Sequence, residues 1–373
     1  MWVDGSAGDG GDGSAARPFR AFVARSGFTT HLATGLYEVG ALPDDVQLEG
    51  GKAVVLHLEG EVSVGKATLR SLAIQGGAVV VRGAAVMEDV SFSGQREAAV
   101  RVEAGASLRL NGGAIDGLVP ETRGVVVLGR AELSRLTFGG ALRHAVSVDG
   151  GEVSLADSRS EGAAEAVHLS SGSAVVSRVR ATGGRGPAFF AINGRLELHD
   201  VTVVGHEYAV LAAQRATLEL DGLTSDRAAQ GAIGLVQATA RLRRVVVTRA
   251  GPHGAIESLE SQTRVEDLTV NQALDVAVVA RLGRLEAKRV RIASVSEESG
   301  SGGDGLMLRD AYVVIQDVRL EDTGGVGLVA TQAATVELDG LTCRRCRHGA
   351  LVVERKATVR AKNVVSEDAR TVA

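Results

Sequence analysis

Residues Arg195-Leu196-Glu197-Leu198-His199-Asp200-Val201-Thr202-Val203 decide the reading of this chain. Counting from Val201 as zero, apolar residues fall at −5, −3, 0 and +2, and two polar residues precede the zero position. Alternation on either side of a polar pair reads as two short strands joined by a bend. The same pattern returns with its zero position at Leu72, Val90, Leu136, Ser158, Val179, Leu223, Val245, Leu268, Val290, Val318, Leu341 and Val364. From Leu136 onward the steps are 21 to 23 residues, apart from one of 28, and the step from Val90 to Leu136 is 46, or two of 23. A fixed period of this length means a stack of repeating units.

Composition fits such a stack. A chain of 373 residues exceeds the usual single-core domain, but repeat architectures grow in one dimension and escape that limit. Aromatic residues make up only 3% of the chain, while Val, Ala and Leu abound, as expected where short strands stack on their own copies. Each repeat carries three short strands and has no room for a helix of ten residues, which favours a β-helix over leucine-rich and ankyrin arrays. The expected fold is all-β: one elongated parallel β-helix of about fourteen coils, roughly 65 Å long at the spacing of neighbouring strands. Residues 1–15 form a Gly/Asp/Ser leader too polar to bury a core and are expected to be a flexible tether. Residues 16–52 are assigned to an N-terminal cap and first coil, and 53–373 to the β-helix. Within the cap, Phe19, Phe22 and Val23 follow Pro18 at i, i+3 and i+4, which predicts a short amphipathic helix over 16–26 covering the open strand end.

The segment Gly35-Leu36-Tyr37-Glu38-Val39-Gly40-Ala41-Leu42-Pro43-Asp44-Asp45-Val46-Gln47-Leu48-Glu49-Gly50 resembles the opening coils of pectate-lyase-like right-handed parallel β-helix proteins. The resemblance is specific over this segment and rests on periodicity over roughly 53–370. It implies a right-handed coil and, through the enzymes of that family, a polysaccharide lyase, hydrolase or epimerase acting on an acidic polysaccharide. The leader resembles the linker that follows the lipidated cysteine of surface lipoproteins in high-GC bacteria, with the signal and the cysteine missing. That implies a bacterial cell-surface or secreted location.

Charge and cysteine usage narrow the function classes. A formal net charge of −4 gives no pull toward nucleic acid, and no run of about 18 apolar residues is present to span a membrane. The only cysteines are Cys343 and Cys346, separated by two arginines. They read as a loop disulfide or two free thiols. Zinc needs two further ligands and a redox motif needs a βαβ setting. No metal site and no cofactor are expected.

The residue before each zero position forms a column of mostly charged side chains: Asp89, Arg135, Asp157, Arg178, Asp200, Gly222, Arg244, Asp267, Arg289, Asp317, Gly340 and Asn363. Opposite charges on adjacent rungs avoid repulsion along a register-aligned stack, so this is read as structural pairing rather than a catalytic cluster. The polygalacturonase motifs Asn-Thr-Asp, Asp-Asp, Gly-His-Gly and Arg-Ile-Lys are absent. His144, His253 and His348 occupy equivalent positions before a strand and are read as corner packing. Residues 111–123 and 293–304 break the rhythm, and such insertions are where binding surfaces usually lie.

Sugar-binding grooves present aromatic platforms. Phe189-Phe190 and Tyr208 are the central aromatic cluster, and a strand through both phenylalanines turns one inward and the other out. The expected ligand contact is therefore Phe190, His199, His206, Glu207 and Tyr208. The expected function is non-enzymatic: an adhesin, spacer or assembly subunit that uses lateral faces and loops to meet a polysaccharide or surface protein, with end-to-end or lateral association through the C-terminal coil. The C-terminal expectation is that residues 366–373 shield the final strands.

Overall fold

A computed structural model describes residues 1–51, 53–297 and 302–368. The chain is all-β, and its strands wind as parallel β-solenoid, about 15 turns in all rather than fourteen. It divides into two compact units, Met1–Val175 and Val176–Ala373.

In the second unit the strand Gly194–Val204 carries the diagnostic stretch and pairs in parallel with Thr217–Ala228, in register at Leu196↔Leu218, Leu198↔Leu220 and Val201↔Leu223. The same register continues one turn at a time through Val245, Leu268, Val290, Val318 and Leu341 to Val364. The zero positions therefore superpose, and those from Val201 to Leu341 are buried. Sheet alternation explains this: residues at −5, −3 and 0 point inward because the bend between −3 and 0 shifts the phase by one. Burying each such Leu or Val contributes roughly 1.5–3 kcal/mol relative to leaving it exposed, and every turn repeats the gain.

The bend has a definite backbone state. Ser71, Asp89, Arg135, Asp157, Arg178, Asp200, Arg244, Asp267, Arg289, Asp317 and Asn363 all have φ between 50° and 61°. Gly222 and Gly340 hold the same position at 89° and 85°. The column read as a charge ladder is thus also the left-handed corner of each turn from Ser71 to Asn363. Asp, Asn and Gly suit that region, since a short polar side chain or no Cβ lessens its steric cost.

In the first unit the register runs Leu72↔Val90 and Gly113↔Leu136. The supposed interruption after Leu110 is a complete turn: Gly113 takes the zero position and Gly112 the corner, with φ of 78°. Gly113 replaces the usual apolar side chain because an added Cβ would collide with the Val90 carbonyl. In the second unit the long step of 28 is absorbed between Ser296 and Asp304, where residues 298–301 lie outside the described residues.

The expected capping helix over 16–26 is not formed, and no helix occurs among the described residues. Its backbone groups are taken by extended chain instead. Phe19 bridges Val3 in parallel, the Phe19 N–H donates to the Trp2 carbonyl at 3.0 Å, and the Arg17 carbonyl accepts from the N–H groups of Asp12 and Gly13. Trp2–Val3, inside the stretch expected as a tether, forms a strand paired to Thr29–Leu32. Phe22 is used as the helical pattern requires, packing at a tilt against Tyr37 with ring centroids 6.3 Å apart. An apolar spacing of i, i+3 is met by an irregular segment once a neighbouring strand claims its hydrogen bonds.

Candidate functional site

The aromatic cluster lies on one lateral face of the second unit. Phe189 is fully buried and its neighbour Phe190 is half-buried on the outward side, as alternation requires. Phe190 stands in register with Leu211, Gly234, Glu257, Val279, Met307, Val329 and Val352 on successive turns. A second outward column runs beside it through Ile192, Ala213, Val236 and Leu259. The result is a largely apolar patch spanning four turns, in which Gly234 contributes no side chain and Glu257 a charged one.

Tyr208 borders this patch. Its ring lies over Gly231 and Gly234: a Cβ on Gly234 would sit 2.7 Å from Leu211 Cδ1 and 3.3 Å from Tyr208 Cε1. Glycine at 234 lets the Tyr208 and Leu211 side chains lie down on the next turn. The Tyr208 hydroxyl and the Glu257 carboxylate converge on His253 Nδ1 at 2.7 and 2.9 Å. Burial, followed by the charges of Glu257 and Glu207, pushes the Tyr208 hydroxyl up to about 12, so it remains protonated and able to donate. His253 therefore does more than pack a corner; the signal for its partnership is that it falls two repeats after Tyr208.

The other expected contacts separate. His206 is a buried corner residue: its Nδ1 lies 3.1 Å from the Gly186 carbonyl, its Nε2 accepts from the Gly184 N–H at 3.4 Å, and burial lowers its pKa. Glu207 sits between it and Tyr208, and its carbonyl accepts from the Gln230 N–H. His199 belongs elsewhere, opposite Asp221 on the ladder strand, half-exposed and 3.9 Å from Glu197. The patch therefore includes Phe190, Tyr208 and the flank of Glu207, but neither His199 nor the ring of His206.

The ladder itself is a set of pairs between turns. Arg244 bonds Asp221 at 2.5 Å and Asp200 at 3.2 Å, and Arg289 bonds Asp267 and Glu266. The Arg244 guanidinium holds the Asp221 carboxyl below its usual range, and Arg289 does the same for Asp267. These side chains are exposed and solvent-screened, so their contribution to stability is modest. Nearby, a groove of about 330 Å³ runs over four turns past Glu219, Arg241, Arg264 and Glu286.

A further cluster, not foreseen as such, lies in the first unit. His144 opens the strand His144–Ala156, and Glu165 and His168 lie near the start of the next long strand, Glu165–Ser177. Glu165 Oε2 is 2.6 Å from His168 Nδ1 and 3.7 Å from His144 Nε2, and the two imidazoles stack with centroids 4.2 Å apart and planes 6° from parallel. His144 is 7% exposed and its Nδ1 is buried without a hydrogen-bond partner. Leaving such an atom unpaired costs on the order of 1–3 kcal/mol. Burial, then His168, Arg143 and Arg123, depress its pKa to about 3, so the ring is neutral at ordinary pH. Shifting His144 by one period of 21 lands on Glu165, a coincidence visible in the sequence.

Cys343 and Cys346 are joined in a disulfide with Cα atoms 6.0 Å apart, and both are fully buried. Gly327 gives the bridge room, since a Cβ there would strike Cys343 Sγ. Comparison of the sequence with protein-family models and with curated proteins gives no match.

Proposed function

We propose that this chain is a right-handed, pectate-lyase-like β-helix whose role is binding rather than catalysis: a bacterial surface or secreted protein serving as adhesin, spacer or assembly subunit. The hand follows from the strong preference of parallel crossovers for right-handed connections, and the kinship from the Gly35–Gly50 segment. The observation that carries the binding role is the largely apolar patch of Phe190, Leu211, Val236 and Leu259 bordered by Tyr208 and His253. The apolar column Ile192, Ala213, Val236 and Leu259, one side chain per turn, suits an extended partner that repeats along its own length. An aromatic ring lying flat beside polar groups able to bond hydroxyls favours a polysaccharide strand over a globular protein.

Association through the last described turn is part of the same proposal. The strand Thr358–Glu367 is paired with Thr335–Arg344, and Val353, Val364 and Val365 are exposed. Of the tail expected to shield these strands, residues 369–373 lie outside the described residues. An exposed parallel rung with apolar side chains suits a second copy or a surface protein.

The test is retention on immobilised neutral and acidic polysaccharides, compared between the native chain and Leu211→Glu or Val236→Glu. Retention that both substitutions abolish supports the proposal. Retention untouched by them removes this face from consideration. Incubation with uronate polymers, with and without Ca²⁺, is followed in the near ultraviolet; appearance of unsaturated product would replace the binding role with a lyase.

A further inference from the structure

We propose that His144, Glu165 and His168 bind one divalent transition-metal ion, with Zn²⁺ the best match to the donor set, fastening two successive turns of the first unit at their corner. This is independent of the lateral face and of any polysaccharide. One donor atom from each of the three residues lies within 4.8 Å of the others. Tetrahedral zinc with ligands at 2.0–2.1 Å separates its donors by roughly 3.3 Å, so the Glu165–His168 contact at 2.6 Å opens and His144 closes, each by on the order of 1 Å or less. Glu165 and His168 are partly exposed, with side chains 17% and 21% accessible, which gives them freedom to move.

Three further observations point to a cation. His144 turns Nε2 toward the Glu165 carboxylate, 3.7 Å from Oε2, on a ring that is only 7% exposed. The Glu165 carboxylate already lies against both rings, where it supplies the negative charge a metal requires. The backbone holds the three residues in place: the Glu165 N–H donates to the Arg143 carbonyl at 3.1 Å, and the Arg143 N–H donates to the Thr122 carbonyl at 2.8 Å. Two imidazoles and one carboxylate select zinc and its transition-metal neighbours over Ca²⁺ and Mg²⁺, which prefer sets built from oxygen. The guanidinium groups of Arg123 and Arg143 act against a cation, so a single carboxylate gives a site of moderate affinity.

The experiment uses the untagged full chain, stripped of metal with a chelator and titrated with Co²⁺ or Zn²⁺ alone. The expected result is one equivalent bound, with Co²⁺ giving a visible absorption band that Zn²⁺ bleaches and Ca²⁺ does not. His168→Ala and Glu165→Gln, both at partly exposed positions, are expected to weaken binding at least about 10-fold, since loss of a ligand costs no less than loss of its supporting partner. His253→Ala, which removes the imidazole beside Glu257 in the other unit, is expected to leave the titration unchanged. Circular dichroism confirms that each variant is folded. Absence of binding, native affinity in either His168→Ala or Glu165→Gln, or equal affinity for Ca²⁺ would overturn the assignment.

Discussion

Position 340 tests the central claim about how each turn is made. Gly340 lies within the strand Thr335–Arg344, yet its φ is 85°, and it occupies the corner that other turns fill with Asp, Arg or Asn at 50–61°. A Cβ there meets nothing closer than the Asp317 nitrogen at 3.5 Å, so a substitution probes backbone conformation without a clash. Placing Val at this corner costs about 1–2 kcal/mol for the left-handed conformation, partly offset by about 0.4–1 kcal/mol from restricting the unfolded chain. The expected net loss for Gly340→Val is about 1 kcal/mol. Gly340→Asp should be near neutral, because Asp tolerates this region and already holds the corner at Asp200, Asp267 and Asp317. An ordinary exposed strand position would invert the order, favouring Val over Asp by up to about 1 kcal/mol. Urea denaturation followed by far-ultraviolet circular dichroism, with both variants compared at a shared slope, reads the sign directly. Val equal to or more stable than Asp would refute the corner as the organising feature of the turn.

Other outcomes follow from named contacts. Phe189→Ala, at a fully buried position, should cost about 3–5 kcal/mol by denaturant midpoint. Replacing Cys343 and Cys346 together by Ser should lower stability by about 2 kcal/mol, the loop-closure value for a separation of three residues, with the native chain under reducing denaturation as the control. His206 has a pKa lowered by burial, so the unfolded chain binds a proton more readily than the folded one. Its contribution is fully present above the unfolded value of 6.5 and is lost as pH falls below it; His206→Gln should flatten the denaturation midpoint between pH 8 and 5. A slope unchanged by that substitution would count against the buried neutral ring.

Repetition made the winding legible. Because each inward residue of a parallel stack meets its equivalent one turn away, apolar spacing at −5, −3 and 0 fixed which residues superpose, and Val201, Leu223 and Val245 do so. Alternation required one of Phe189 and Phe190 to face outward, and the buried position of Phe189 shows that it is Phe190. The period specified where a side chain starts, but not where its tip goes or what the backbone does at a bend. Tyr208 reaches His253 two turns away because Gly231 and Gly234 leave the intervening surface low, and His144 meets His168 because Glu165 draws the two rings to one carboxylate. The polar column looked like a charge ladder in one dimension; its shared positive φ emerged only in three, since charge is written in the residue type and conformation is not. At residues 16–26 the local helical pattern lost to a neighbouring strand, because hydrogen bonds made between distant segments override a weak local preference.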